Sequence, residues 1–186
     1  MSSLVINSKI WGEMFGTREM SDIFSDKKTI QYYLEVEAAL ARVQSRLGII
    51  PKTCGLEISK VAKTDWIDWK LLEKRTSIVG YPILPLVEQL SSKVKKNLGQ
   101  YCHWGATTQD IMDTADVLQI RDALSILSSD LIGIKKALKK LVKRYINTPM
   151  SGRTHLQHAL PTSFGYKCST WLSGIERHID RISQIK

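Results

Sequence analysis

The sequence predicts an all-α protein, in which a small N-terminal helical domain precedes the first long helices of a central helical bundle. Apolar residues recur at steps of three and four through most of the 186 residues, as they do on one face of a helix. Glycine and proline fall in short breaks between these periodic segments. From Thr108 to about Tyr145, however, no proline occurs and the only glycine is Gly133. We therefore place the first domain at residues 1–100 and an incomplete bundle domain at residues 101–186.

The helices of the first domain are predicted from their caps and their breaks. An irregular arm comes first, up to about residue 20. Gly48 suits the left-handed position after the end of a helix, and a proline follows it closely. The predicted helices run from Asp26 to Gly48, from just after Thr53, from a cap at Asp65 to a break at Gly80, and from Pro85 to about Lys96.

Two long amphipathic helices are predicted in the second domain. The helix that begins at Thr108 carries apolar residues at alternating steps of three and four for about four heptads. Pro161 suits the first turn of the other helix, whose apolar stripe extends from Phe164 to Ile182. Two helices cannot enclose a core between them. We therefore expect that this chain is the N-terminal portion of a larger protein, or that it buries the two stripes by self-association.

Charge and cysteine content exclude several classes of protein. The net charge is +9, but the lysines lie mostly on polar helix faces and no zinc-finger or RNP-like motif occurs. This pattern predicts a basic surface that attracts anionic metabolites and not a nucleic-acid partner. The three cysteines are odd in number and widely spaced, which favours reduced thiols in the cytoplasm. No signal pattern and no apolar run long enough to cross a bilayer is present, so no membrane partner is expected.

A first polar stretch, residues 103–110, opens the long helix. Thr107 and Thr108 offer two hydroxyls beside unpaired backbone N–H groups, where the helix dipole favours a carboxylate. A plain N-cap is the alternative interpretation of this pair. Asp110 in the first turn fits capping, or it orients a neighbouring donor. His103 lies just before the helix and is either an anion-contacting residue or a packed histidine.

A second polar stretch, residues 152–161, lies in the break between the two long helices. His155 is the candidate for proton transfer, because an imidazole exchanges protons near neutral pH. Thr154 and Gln157 are placed to hydrogen-bond a substrate or to fix the tautomer of that ring. Arg153 either binds a carboxylate or anchors the loop. Although His155 and His158 lie three apart, no third ligand has metal-site spacing, and we predict no metal.

These stretches resemble two signature regions of the fumarase/aspartase superfamily. The segments 103–115 and 152–162 carry the resemblance, and the arm 15–26 and the helix 33–41 are also similar. The likeness covers nearly the whole chain and is greatest for the branch that holds 3-carboxy-cis,cis-muconate cycloisomerase and adenylosuccinate lyase. It implies a homotetramer in which three subunits share each active site. It also implies addition or elimination beta to a carboxylate, through a carbanion stabilised as an aci-carboxylate, without a cofactor.

The resemblance also implies a role for each candidate residue. The acid/base group would be His155, and the substrate would be a small polycarboxylate. The substrate-binding residues implied by the motifs, or motivated by them, are His103, Thr107, Thr108, Asp110, Thr154, Gln157 and Arg18.

Two departures from the superfamily pattern shape the functional expectation. The third signature, a Gly-Ser-Ser loop that supplies a catalytic serine, has no counterpart here, so these 186 residues alone are expected to be inactive. The arm 15–20, and Leu156 and His158 on either side of Gln157, favour a cycloisomerase-like enzyme. Arg18, His103 and the basic surface instead motivate an adenylosuccinate lyase-like enzyme. The uncovered apolar stripes motivate a third alternative, a non-catalytic helical assembly module.

Overall fold

The computed structural model of the chain describes residues 5–8, 10–95 and 97–185. These residues are mostly helical, with one small sheet, which confirms the predicted fold class. Backbone contacts divide the chain into two compact units, residues 1–120 and 121–186. The predicted domain boundary near residue 100 stays a prediction. The longer elements are α1 (Arg18–Ile23), α2 (Asp26–Leu47), α3 (Cys54–Val61), α4 (Trp69–Val79), α5 (Ile83–Lys93), α6 (Thr108–Arg144), β1 (Pro149–Thr154), β2 (Gln157–Ser163) and α7 (Phe164–Ile185).

The first unit is built around α2, which has the boundaries that its caps predict. The Ser25 hydroxyl accepts a hydrogen bond from the Lys28 N–H at 3.3 Å, and so caps the start of the helix. Gly48 follows the last turn with φ 75°, a left-handed conformation that glycine adopts at little cost. One face of α2 is buried against α3, the helix predicted after Thr53.

A single apolar core holds the first unit together. Its members come from α2, α3, α4, α5 and the first turns of α6, so short helices from distant parts of the sequence share one interior. Burial of this apolar surface is the main stabilising contribution, at about 25 cal/mol per Å². The core residues with no exposed surface are Leu34, Cys54, Ile58, Leu86, Leu90 and Ala115.

Two predicted helix starts in the first unit are wrong. Asp65 lies in the short 3₁₀ turn Thr64–Trp66, and Asp68 caps α4 instead, accepting from the Leu71 N–H at 3.0 Å. Helix α5 begins at Ile83, before Pro85, because a proline is tolerated anywhere in the first turn. Its predicted end near Lys96 lies outside the described residues, and α5 ends at Lys93. The arm is helical in part, since α1 forms where the Thr17 hydroxyl caps the Met20 N–H.

The second unit contains the end of α6, the sheet and α7. The 37 residues of α6 form one uninterrupted helix, as predicted. Near the ends of the two helices, the rings of Tyr145 and Phe164 meet edge to face with centroids 5.4 Å apart. Lys135 and Lys139 of α6 lie 3.1 and 3.5 Å from the Glu176 carboxylate of α7. These contacts show that α7 packs back along α6 in the opposite direction.

The break between the long helices is a β-hairpin, which the sequence did not predict. Strands β1 and β2 are antiparallel, with Met150 opposite Thr162 and Ser151 opposite Pro161. Pro161 therefore lies in β2 and not in a helix, because both strands of a two-stranded sheet have an open edge where a missing N–H is tolerated. Helix α7 begins later, at Phe164, and the Ser163 hydroxyl caps it by accepting from the Tyr166 N–H at 3.1 Å.

Candidate active site

His103 lies in a tight turn immediately before α6. The backbone of His103 has φ 57° and that of Gly105 has φ 70°, both in the left-handed region. Glycine adopts this conformation freely, but for a residue with a Cβ it costs about 1–2 kcal/mol. Strained residues of this kind persist where the surroundings hold them, and they concentrate at functional sites.

Two side chains of α2 hold this turn in place. The Glu37 carboxylate accepts from the His103 main-chain N–H at 3.1 Å and lies 2.6 Å from the ring Nδ1. The Gln44 amide, two helical turns further on, donates to the Trp104 carbonyl at 2.7 Å. Glu37 and Gln44 lie on one face of α2. This face therefore forms hydrogen bonds with two consecutive residues of the turn, His103 and Trp104.

Sequence reasoning missed Glu37, although a signal was present. Glu37 follows Tyr33 and Leu34 by one helical turn and precedes Ala38 and Ala41, so it falls on the apolar face of α2. Its side chain is only 1% exposed. A carboxylate at such a position needs partners, because burying an unpaired charge costs several kcal/mol. A glutamate on an apolar stripe therefore indicates a buried donor opposite it, and that donor is His103.

The environment of His103 favours its charged form. The hydrogen bond to Glu37 raises the pKa of the imidazole; burial opposes the increase, and the charges of Glu37 and Asp110 add to it. A pKa that folding raises stabilises the folded state below the ordinary imidazole value. That contribution disappears as pH rises through the higher pKa of the folded protein. The pair therefore extends the pH range over which the ring next to α6 is an imidazolium.

The threonine pair at the start of α6 has free hydroxyls. The Asp110 carboxylate accepts from the Thr107 main-chain N–H at 2.9 Å, which confirms the capping interpretation of Asp110. Thr107 is exposed and Thr108 is half-buried, and within the described part of the chain neither hydroxyl has a hydrogen-bond partner. His103, Thr107, Thr108 and Asp110 thus form one polar cluster at the start of α6, with spare donors.

The other candidate residues lie at the tip of the hairpin. Thr154 and Gln157 are opposite each other in the sheet, and the turn between them is made by His155 and Leu156. All four side chains are exposed, and Leu156 has φ 54°. The structure therefore brings Thr154, His155 and Gln157 together at one tip. This tip belongs to the second compact unit, whereas the cluster at the start of α6 belongs to the first.

Arg18 lies in the arm of the first unit. It is the first residue of α1, and its guanidinium forms a salt bridge with Glu13, with Nε 2.7 Å from the carboxylate. Its side chain is 85% exposed, and such an exposed pair contributes little to stability. The salt bridge pairs Arg18 with Glu13, another residue of the arm.

Gly152 allows the two strands behind the tip to approach each other. A Cβ at this position would lie 2.5 Å from the Leu160 carbonyl oxygen, at the point where the strand register shifts. We expect Gly152→Ala to displace the hairpin and lower its stability. The control is Gly133→Ala in α6, where a Cβ meets nothing within 4 Å and should stabilise the helix by about 0.5–1 kcal/mol. Thermal unfolding of the two variants measures both effects, and equal midpoints would contradict this account of Gly152.

The three cysteines are free and buried. Burial raises the pKa of the Cys102 thiol to about 11, which the Ser91 hydrogen bond only partly offsets. Cys102 therefore stays protonated at neutral pH. Within residues 5–8, 10–95 and 97–185, no group of three or more histidine, cysteine or acidic residues is arranged to hold a metal. In the same ranges, no helix combines the length and the apolar character of a membrane span.

Comparison with known proteins shows the family to which the chain belongs. A family described as lyase matches residues 14–186 of this chain. The chain belongs to the fumarase/aspartase superfamily. A fumarate lyase of this superfamily from Mesorhizobium sp. BNC1 has a crystal structure similar to the chain, with a TM-score of 0.86 and 51% sequence identity over 92% of this chain and 40% of that one. The match confirms both the fold and the predicted superfamily.

Curated relatives in the superfamily have several different activities. Trans-aconitate decarboxylase 1 of Mycosarcoma maydis is 44% identical over 94% of this chain and 35% of its own length. The 3-carboxy-cis,cis-muconate cycloisomerase of Acinetobacter baylyi is 39% identical, over 96% and 41%. The adenylosuccinate lyase of Pyrococcus abyssi is 40% identical, over 92% and 38%. The chain thus spans about two fifths of the length of these relatives, and identity alone does not separate the two predicted substrate classes.

Proposed function

We propose that this superfamily member contributes to the active site of a cycloisomerase-like lyase, which acts on a small polycarboxylate. One observation carries the proposal: the start of α6 presents His103, Thr107 and Thr108 with hydrogen-bonding groups that have no partner in the described part of the chain. Donors at a helix N-terminus, beside a histidine whose pKa is raised, suit a carboxylate. The basic net charge of +9 raises the local concentration of such anions.

In the proposed reaction, the residues at the start of α6 and those at the hairpin tip have different roles. A carboxylate oxygen of the substrate adds to one carbon of a double bond and closes a lactone. The electron pair of that bond moves to the neighbouring carbon and is delocalised into its own carboxylate as an aci-carboxylate. Thr107, Thr108 and His103 stabilise the carboxylate where charge develops, with Asp110 orienting the start of the helix. His155 donates a proton to the carbanion carbon and so completes the lactone, and Thr154 and Gln157 contact the substrate beside it.

The oligomeric state and the location are part of the proposal. We expect a homotetramer in which three subunits share each site, and exposed apolar residues on α6 support this. In the isolated chain Val117, Ile120 and Leu127 are 63%, 52% and 43% exposed, and exposed patches of this kind indicate an interface. The three buried, unpaired thiols support a cytoplasmic location. We also propose that these 186 residues need other parts of the superfamily site for turnover.

An adenylosuccinate lyase-like activity is the second candidate. The adenylosuccinate lyase relative, at 40% identity, and the raised pKa of His103 favour a substrate with an additional anionic group. A non-catalytic assembly module remains the third candidate.

A substrate screen of the complete gene product separates these candidates. We expect consumption of 3-carboxy-cis,cis-muconate, measured by loss of its ultraviolet absorbance, and no change in adenylosuccinate. Residues 1–186 expressed alone should show no turnover. The reverse preference would identify the nucleotide lyase, and a folded gene product that is inert to a panel of polycarboxylates would favour the assembly module.

A further inference from the structure

The two acceptor oxygens of Glu37 are both used on one residue. One accepts the His103 main-chain N–H, and the other lies 2.6 Å from the ring Nδ1. A bond to the main chain is enough to hold a turn, as the Gln44 amide shows with the Trp104 carbonyl. The second bond acts on the imidazole itself and fixes the orientation of the ring. Glu37 therefore orients the imidazole of His103 as well as its backbone.

The ring nitrogen that remains is Nε2. With Nδ1–H donating to the carboxylate, Nε2 is the only ring position that can meet a ligand. Nε2 has no hydrogen-bond partner in the described part of the chain and is not fully buried, and the His103 side chain is 20% exposed. The charged groups that act on the ring are Glu37 from α2 and Asp110 from α6, and both are acidic. They stabilise the form in which Nε2 carries a proton.

We propose that Glu37 is a positioning residue, which holds His103 so that a protonated Nε2 donates a hydrogen bond to a substrate carboxylate. The inference rests on the proposed function, since it takes His103 as a substrate-binding group. Glu37 itself does not touch the substrate. It acts through the imidazole, by fixing the direction of Nε2 and by favouring its charged form. A charge-assisted hydrogen bond is about twice as strong as a neutral one, so both effects strengthen binding.

The first test measures the imidazole directly. In the complete gene product, labelled with ¹³C at histidine Cε1, the His103 signal is assigned by its loss in His103→Gln and is titrated with pH. We expect a pKa above the ordinary value, which Glu37→Gln lowers because the largest cause of the increase is gone. Glu35→Gln removes the same charge from the same helix at an exposed position and should leave the titration unchanged.

The second test measures binding without turnover. Tricarballylate, an unreactive tricarboxylate, serves as the probe in calorimetry near pH 7.5. We expect Glu37→Gln and His103→Gln each to weaken its binding by about 10- to 100-fold, the worth of one hydrogen bond to a charged group. Glu35→Gln should bind as the wild type does, and a cooperative thermal transition well above the assay temperature shows that each variant is folded.

The outcomes separate this inference from the proposed function. Wild-type His103 with an ordinary or lowered pKa overturns the inference even if Glu37→Gln fails to fold. Equal affinities of the wild type and the folded Glu37→Gln variant overturn it as well. Binding of tricarballylate that depends on Glu37, in a gene product that turns over no polycarboxylate, supports the inference and rejects the lyase activity. A wild-type protein that binds no tricarballylate contradicts both.

Discussion

Replacing His155 with alanine in the complete gene product is expected to lower kcat/KM by about 10²–10⁴-fold, the usual contribution of a general acid or base. The imidazole is exposed at the tip of the hairpin and has no hydrogen bond in the described part of the chain, so its removal leaves no buried group unpaired. Stability should therefore change little, and the loss should appear in the chemical step. Steady-state kinetics together with a thermal melt measures both quantities.

His158 provides the matched control for this experiment. It is also an exposed histidine of the hairpin, but it lies in β2 opposite Arg153 and not in the turn. His158→Ala should lose far less activity than His155→Ala. A fully active His155→Ala variant would remove this imidazole from the mechanism, and equal losses in the two variants would mean that the hairpin matters as a whole.

The largest effect on stability is expected from Leu86→Ala in α5. Leu86 has no exposed surface and lies in the core of the first unit. Truncating a buried leucine removes its transfer free energy and leaves a cavity, so the free energy of unfolding should fall by about 2–5 kcal/mol. Urea unfolding followed by far-ultraviolet circular dichroism measures the change.

Leu84 on the same helix is the control for Leu86. Its side chain is 41% exposed, and Leu84→Ala should change stability by only about 0.5 kcal/mol. Because the two variants have the same effect on helix propensity, their difference isolates burial. Similar losses from the two substitutions would contradict the assignment of Leu86 to the core.

Helices were predictable from this sequence wherever the signals were local. Ser25 and Gly48 bound α2 as capping rules require, and the length of α6 follows from an uninterrupted periodic pattern. The hairpin was not predictable in the same way. Its residues 149–163 show no clear alternation of apolar and polar side chains, and most are exposed on both faces. Pairing between the strands, which is not local, decided their structure.

The candidate site was likewise predictable only where its contacts are local in sequence. A cap at Asp110 was one of two interpretations of its position, and the structure confirms it, because capping depends on neighbouring residues. Glu37 was missed because its role depends on His103, 66 residues away in the sequence. The roles of His155, Thr107 and Thr108 in binding one substrate stay predictions, since they join residues of different compact units.

The most direct test of the account is a crystal structure of the complete gene product with tricarballylate bound. The central claim is that His155 and the hydroxyls of Thr107 and Thr108 meet one polycarboxylate. We predict that a single bound molecule contacts the threonine hydroxyls through one carboxylate and lies within hydrogen-bonding distance of a His155 ring, from the same subunit or another. A structure in which no such molecule can reach both groups, with every subunit considered, would contradict the claim.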